Sequence, residues 1–164
     1  MKAIIMDESG RGITEKERAQ QAELQSLLVQ LRQYQAQAEQ TTQELLFVRQ
    51  AIVEHEKAIE TIKQLKEMKP GSELLVPIGA NSSIYVTLSS PEKIILMIGG
   101  GISAERDPES SIAYLAGKKT ELENSQREMN ELLQRLDQEA QRLQKRLQEL
   151  AAQSEAGPRG ARPA

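Results

Sequence analysis

The sequence contains no cysteine and almost no large aromatic side chains. Aromatic residues make up 2% of its 164 residues, tryptophan is absent, and Phe47 is the single phenylalanine. The absence of cysteine excludes disulfides, thiol nucleophiles and zinc-thiolate sites, and it is compatible with a reducing compartment. Because aromatic residues supply much of the area of an ordinary core, we do not expect a compact globular domain.

Long apolar runs and an excess of positive charge are also lacking. No run reaches the roughly 18 apolar residues of a membrane span, and the apolar stretch from Ala3 to Met6 is too short for a signal peptide. The net charge of -3 and the pI near 5.4 give no general attraction to nucleic acid, whose binding proteins have a basic face. We therefore expect a soluble cytoplasmic protein that binds neither membranes nor nucleic acid.

What the sequence has instead is a long heptad pattern. Charged residues are 27% of the chain, and the abundance of Ala, Glu, Lys, Leu and Arg is typical of long helices. Apolar positions recur at alternating steps of three and four residues, which keeps one seam facing a partner helix. The first helix begins at the capping sequence Thr14 to Glu17 and ends before Pro70. Its predicted seam is Leu24, Leu27, Leu31, Tyr34, Ala38, Thr41, Leu45, Val48, Ile52, His55, Ile59 and Ile62.

A second series with the same steps predicts a second helix. It follows Asp107, which suits the N-cap position, and Pro108, which suits the first helical position. Its predicted seam is Ile112, Leu115, Lys119, Leu122, Gln126, Met129, Leu133, Leu136, Ala140, Leu143, Leu147 and Leu150.

The two seams span the same number of residues, so the helices can pair antiparallel. In the register that we predict, Ala38 lies against Leu136 and His55 lies against Lys119. The second pair is polar and interrupts the seam, which lowers stability but can fix the register.

Between the helices the pattern changes to short runs that favour β-strands. Turn-forming residues separate these runs, so we predict two β-hairpins. Pro77 cannot donate a hydrogen bond, which places it at an edge or a bulge. Two hairpins leave open edges and cannot close a core by themselves, so they require a partner. The predicted strands are residues 73–78, 83–88, 93–98 and 101–105.

We therefore predict an α+β fold, a long antiparallel two-helix coiled coil with two central hairpins. The predicted segments are a flexible N-terminal extension at 1–13, helix 1 at 14–69, the hairpins and oligomerisation region at 72–106, helix 2 at 107–152, and a disordered tail at 153–164.

This layout resembles the archaeal type of prefoldin alpha subunit. The residues that carry the resemblance are the runs Glu73 to Ser82, Ile98 to Glu105 and Ile112 to Leu115. The resemblance implies a hexamer of two alpha and four beta subunits, in which hairpins of several subunits join into a shared β-barrel. It also implies an ATP-independent holdase that captures unfolded proteins at the coiled-coil tips and passes them to group II chaperonin.

Two sets of site residues follow from this resemblance. The candidate client-binding residues at the tips are Leu24, Leu27, Leu28, Val29, Leu31, Leu143, Leu147 and Leu150. The candidate oligomerisation residues are Leu75, Val76, Ile78, Ile84, Val86, Leu88, Ile94, Leu96, Ile98 and Ile102. The tip leucines have a second interpretation, because most of them lie in the seam and can simply hold the helices together. Leu28 and Val29 lie outside the seam.

Other functional classes fit the sequence less well. The run Gly99 to Gly101 lacks the Lys-Ser/Thr of a phosphate loop and suits a turn. His55 is the only imidazole, so no transition-metal site can be completed around it. We expect no catalytic residues, no metal and no cofactor. A coiled-coil tether or assembly adaptor explains the heptads but not the hairpins, and an RNA-binding helical arm would have a basic face.

Overall fold

The computed structural model describes residues 5–6, 12–13 and 15–155, and it divides into two compact units. We call the described residues up to Glu44 and from Met129 onward the terminal unit. We call Leu45–Glu128 the central unit. Within the described residues, no helix has an apolar stretch long enough to cross a membrane.

The first long element is helix α1, Glu15–Lys66, which has 52 residues. Acidic residues in its first turn and basic residues in its last turn complement the helix dipole. The predicted cap residue Thr14 lies outside the described residues. After Lys66 the helix tightens, since the amide of Met68 donates to the carbonyl of Leu65 at 3.1 Å. We predicted that the first helix runs to residue 69, and it ends three residues earlier, at Lys66, ahead of Pro70.

Helix α2 spans Pro108–Glu155 and has 48 residues. The predicted N-cap is confirmed, because the amide of Ser110 donates to Oδ1 of Asp107 at 2.9 Å. The helix continues past residue 152, where the predicted tail begins. Ala151 and Ala152 have high helix propensity, and the helix breakers Gly157 and Pro158 come only later in the sequence. Residues 156–164 lie outside the described part of the chain.

The heptad seam predicted from the sequence is confirmed. Every position of the two predicted series is buried or half-buried. In the terminal unit the most buried members are Thr41, Leu136, Leu143 and Leu150. In the central unit they are Leu45, Ile52 and Ile62. The apolar stripe of each helix is therefore covered within the chain.

The two predicted hairpins are confirmed, and each is a separate antiparallel two-stranded sheet. The first hairpin pairs β3, Glu73–Gly79, with β4, Ser82–Thr87. The second pairs β5, Ile94–Gly99, with β6, Ile102–Arg106. Gly99–Gly101 have positive φ and form the turn of the second hairpin, which confirms the interpretation of this run as a turn.

A third, very short ladder lies ahead of α1. Strand β1, Ile5–Met6, pairs antiparallel with β2, Gly12–Ile13. We predicted a flexible extension at 1–13 from the sequence and did not predict this pairing. The intervening sequence contains Asp, Ser and Gly, which are residue types that favour turns. The other residues of the extension lie outside the described part.

Candidate functional site

The first hairpin exposes apolar side chains on both of its faces. Directly paired residues of an antiparallel ladder share one face, and the next pair along lies on the other face. Leu75 pairs with Tyr85 on one face, and Val76 pairs with Ile84 on the other. Leu75 and Tyr85 are the more exposed pair, but all four side chains are exposed. An ordinary surface hairpin would present only one apolar face.

The second hairpin repeats this arrangement along β5. Ile95 is 74% exposed, its neighbour Leu96 is 8% exposed, and Met97 is again as exposed as Ile95. The alternation follows from the pleat, which points successive side chains to opposite faces. One face of each hairpin is thus partly covered within the chain and the other is open.

The hairpins thus have two distinct apolar surfaces. The face that we call the half-buried face comprises the half-buried Leu74, Val86 and Ile94, the buried Leu96, and the more exposed pair Val76 and Ile84. The open face comprises Leu75, Tyr85, Ile95 and Met97.

Pro77 leaves the outer edge of β3 without an amide donor at that position. The amide of Leu88 donates to the carbonyl of Ser72 at 2.8 Å. Because hydrogen-bonded and non-hydrogen-bonded pairs alternate along the ladder, the pair of Pro77 and Ser83 is a non-hydrogen-bonded one. The nitrogen of Pro77 therefore points to the free edge and costs the hairpin no bond. A bulge follows directly, which confirms the prediction for Pro77. The free edge of β4 keeps its donors at Ser83 and Tyr85.

The predicted oligomerisation residues fall into three groups by exposure. Leu96 is buried. Val86, Leu88 and Ile94 are half-buried. The exposed members are Leu75, Val76, Ile78, Ile84, Ile98 and Ile102. Sequence reasoning missed Tyr85, Ile95 and Met97, which are more exposed than any of these. A check of both strand faces for apolar residues would have found them.

The predicted client-binding residues lie in the terminal unit and differ in accessibility. Leu28 and Val29 are exposed. Leu143 and Leu150 are buried in the seam. Leu24, Leu27, Leu31 and Leu147 are half-buried. Of these eight residues, only Leu28 and Val29 present an open apolar surface while the helices stay paired.

Polar contacts join the two helices within the terminal unit. The guanidinium of Arg146 lies 2.8 Å from the carboxylate of Glu23. The side-chain amide of Gln20 donates to the carbonyl of Leu150 at 3.0 Å. The hydrogen bond and charge of Glu23 raise the pKa of Arg146. These contacts restrain the helix ends, so opening of the seam there would break them.

Tyr34, Ala38, Leu136 and Ala140 line one groove in the terminal unit. The groove brings small and large seam residues together, and the residue-by-residue register stays a prediction.

The helices of the central unit are joined by ion pairs. Lys119 lies 2.7 Å from Glu56, and this hydrogen bond raises the pKa of Lys119. Glu56 is adjacent to His55, which we predicted to lie against Lys119. Nδ1 of His55 donates to the carbonyl of Ala51 at 2.7 Å. His55 is therefore bonded to its own helix in the seam.

A second ion pair joins the last turn of α1 to the first turn of α2. Lys66 bonds to Glu109, and this hydrogen bond raises the pKa of Lys66 and lowers that of Glu109. Both side chains are largely exposed, so the pair supports the geometry of the junction more than its stability.

The central unit carries a further apolar surface that the sequence analysis did not identify. Leu46, Phe47 and Val53 are exposed on α1. We call these three residues the lateral patch. Each lies next to a seam residue but on the outer side of the helix, where a coiled coil usually has polar residues. Large apolar residues at these outer heptad positions are the signal that could have found the patch.

Comparisons with known proteins identify the family. A family model described as Prefoldin subunit matches residues 34–153. The chain belongs to the prefoldin family. It is 34% identical to the prefoldin subunit alpha of Methanospirillum hungatei over 139 residues, which cover 85% of this chain and 93% of that protein. It is 33% identical to the prefoldin subunit alpha of Methanothrix thermoacetophila over 115 residues, which cover 70% of this chain and 75% of that protein.

A solved structure supports the fold. The chain is similar to a cryo-EM structure of filamentous PFD from Methanocaldococcus jannaschii, with a TM-score of 0.54 and 24% identity. The match covers 75% of this chain and 96% of that one. The predicted resemblance and the predicted fold of helices and hairpins are confirmed. The chain is therefore a chaperone subunit of the prefoldin family.

Proposed function

We propose that this chain is the alpha subunit of an ATP-independent holdase, a cytoplasmic hexamer of two alpha and four beta subunits. It captures unfolded proteins at the helix ends of its coiled coils and transfers them to group II chaperonin. In this proposal the chain performs no catalysis and binds no cofactor.

The observation that carries the proposal is the incomplete state of the two hairpins. Each hairpin has two unpaired edges within the described residues and apolar side chains on both faces. An isolated two-stranded sheet is marginally stable in water, and an open edge invites another strand. A barrel shared among subunits pairs the edges and encloses one face. The half-buried face is the better candidate for the barrel interior, because Leu96 on this face pairs with Ala104, whereas Ile95 on the open face pairs with the charged Glu105.

Client capture is supported by the two exposed apolar residues of the terminal unit. Leu28 and Val29 can contact an apolar segment without any opening of the seam. At about 25 cal/mol per Å² of buried apolar surface, two such side chains give only a weak contact. Several subunits that engage one client at once would strengthen binding by avidity.

Assembly and holdase activity are tested together by native mass spectrometry and an aggregation assay. The chain is measured alone and mixed with a beta-type prefoldin subunit, and the mixture is then added to a denatured client without nucleotide. We expect a complex with two copies of this chain that keeps the client soluble. A stable homodimer that neither joins the beta subunit nor suppresses aggregation would favour a coiled-coil tether.

The contribution of the helix ends is tested by substitution. We expect Leu28→Ser with Val29→Ser to weaken suppression of aggregation while the oligomer stays intact. The matched control replaces two exposed alanines of the same helix segment, Ala22→Ser with Ala36→Ser, and should have no effect. Equal suppression by both double variants would exclude Leu28 and Val29 as a client site.

A further inference from the structure

The lateral patch breaks the polar pattern of the outer face of α1. Leu46 and Val53 directly follow the buried seam residues Leu45 and Ile52, and Phe47 comes next along the helix. The corresponding positions of the other heptads of this seam are polar. They are Gln25, Ser26, Arg32, Gln33, Glu39, Gln40, Glu54, Glu60 and Thr61. The departure is therefore confined to two adjacent heptads.

The three side chains surround one position of the helix, Gln50. Residues three and four apart on a helix are neighbours, and Gln50 lies four residues after Leu46, three after Phe47 and three before Val53. The side-chain amide of Gln50 donates to Glu54 at 3.0 Å. The amide is thus satisfied within the helix, and its hydrogen bond does not depend on an outside partner. Contact with an apolar ligand leaves that bond intact.

Two residues of the lateral patch are more exposed than any residue predicted from the sequence to contact clients. Phe47 is 73% and Leu46 is 60% exposed, whereas Val29, the most exposed of the predicted residues, is 53% exposed. Both helices already bury their seam within the chain, so the patch adds nothing to coiled-coil pairing. Positions that break a local pattern without a structural gain are candidates for function.

The size of the patch argues against a permanent subunit contact. Three side chains of this exposure present on the order of 300 Å² of apolar surface. A stable interface buries about 800 Å² on each partner. A short extended segment of an unfolded chain, with one or two apolar side chains, matches the smaller area.

We propose that the lateral patch of Leu46, Phe47 and Val53 is a second client-contact site, which binds apolar segments of unfolded polypeptide. This inference rests on the holdase function proposed above and adds a site in the central unit to the one predicted at the helix ends. The flanking charges, Glu44, Arg49 and Glu54, are of mixed sign. They select neither acidic nor basic segments, which suits a site for many different clients.

The test uses the full complex of this chain with a beta-type subunit. The patch variant is Leu46→Gln, Phe47→Gln and Val53→Gln, because glutamine keeps good helix propensity. The matched control is Arg32→Gln, Glu39→Gln and Glu60→Gln, at equivalent outer positions of the same helix. Chemically denatured citrate synthase is diluted into each complex, and the concentration that halves its aggregation is measured. We expect this concentration to rise at least threefold for the patch variant and to stay unchanged for the control.

A second measurement does not depend on folding of the triple variant. A photo-crosslinking amino acid placed at position 47 should form a product with the denatured client in the assembled complex. A product with another prefoldin subunit, or loss of the complex in the patch variant, would show that the patch is a subunit contact and overturn the inference. Unchanged suppression by the patch variant would also overturn it and leave the holdase proposal standing. Failure of the unmodified complex to suppress aggregation would instead refute the holdase proposal itself.

Discussion

The coiled coil and the hairpins differ in how far they bury their apolar side chains. On the helices the seam is covered within one chain, and Leu45 is only 4% exposed. On the hairpins most large apolar side chains are exposed, including all four residues of the open face. The helices are therefore structurally complete in the single chain, while the hairpins are built to pack against something else.

Backbone hydrogen bonding explains the difference. A helix satisfies its backbone donors and acceptors internally and needs a partner only for its apolar stripe. A two-stranded hairpin satisfies one edge of each strand and leaves the other edge open. In this chain the second helix covers the apolar stripe of the first. We propose that other prefoldin subunits pair with the open edges of the hairpins.

The largest expected effect comes from the half-buried face of the first hairpin. We expect Val76→Ser with Ile84→Ser to abolish assembly with a beta-type subunit, because hydroxyls would replace paired apolar side chains in the interior of the proposed barrel. Native mass spectrometry would report the loss of the complex. Circular dichroism should show unchanged helix content, because the seam is not altered.

The matched control for this prediction lies on the other side of the same strands. Leu75→Ser with Tyr85→Ser changes a directly paired set on the open face, and we expect the complex to survive. If the open-face variant loses assembly and the half-buried-face variant keeps it, the assignment of the barrel interior is reversed.

The next largest effect is a loss of stability, which we expect for a buried seam residue but not for its exposed neighbour on α1. Leu45→Ala should lower the free energy of unfolding by about 2–5 kcal/mol, because it leaves a cavity in a buried site. Leu46 is 60% exposed, and Leu46→Ala should change the same quantity by about 0.5 kcal/mol or less. Urea unfolding of the two variants measures both values. Equal losses would mean that the seam is not the main source of helix stability.

The seam and the hairpins could be predicted from the sequence because their signals are local. A 3.5-residue repeat can be read without knowledge of the rest of the fold. The turn at Gly99–Gly101 and the bulge after Pro77 follow from backbone restrictions of single residue types. The resemblance to prefoldin alpha subunits rested on the same hairpin segments.

The exposed residues that were not predicted could not be found from local sequence, because exposure depends on which other parts of the chain cover a side chain. Tyr85, Ile95 and Met97 belong to strands that were predicted, but their exposure depends on which face the chain covers. Phe47 lies outside the 3.5-residue repeat, so the repeat predicts neither its burial nor its exposure. The β1–β2 ladder was missed because strands of two residues give no periodic signal.

A stabilising substitution in α2 tests whether a helix can be strengthened without a change in assembly. Gly117 lies within α2, is exposed, and has nothing within 4 Å of the position of an added Cβ. Gly117→Ala should raise the free energy of unfolding by about 0.5–1 kcal/mol, because alanine loses less backbone entropy in a helix. Assembly measured by native mass spectrometry should not change. A weaker complex would show that residue 117 contacts another subunit.

The smallest effect is expected at the start of α2 and depends on pH. Hydrogen bonds from the hydroxyl and the amide of Ser110 lower the pKa of Asp107. The stabilisation by the charged carboxylate is therefore present above the pKa of the unfolded chain and is lost as the pH falls through the lower folded value. Asp107→Asn keeps a capping oxygen but does not titrate.

This variant should be slightly less stable than the unmodified chain at pH 7, and the difference should shrink below about pH 4. Ser110→Ala, which removes the hydroxyl donor, should show a smaller difference with the same pH dependence. Urea unfolding at a series of pH values measures all three proteins. A difference that stays constant with pH would mean that the hydrogen-bond geometry of the cap, rather than its charge, stabilises the start of α2. Such a result would leave the contrast between helices and hairpins in place, since either form of the cap is complete within the single chain.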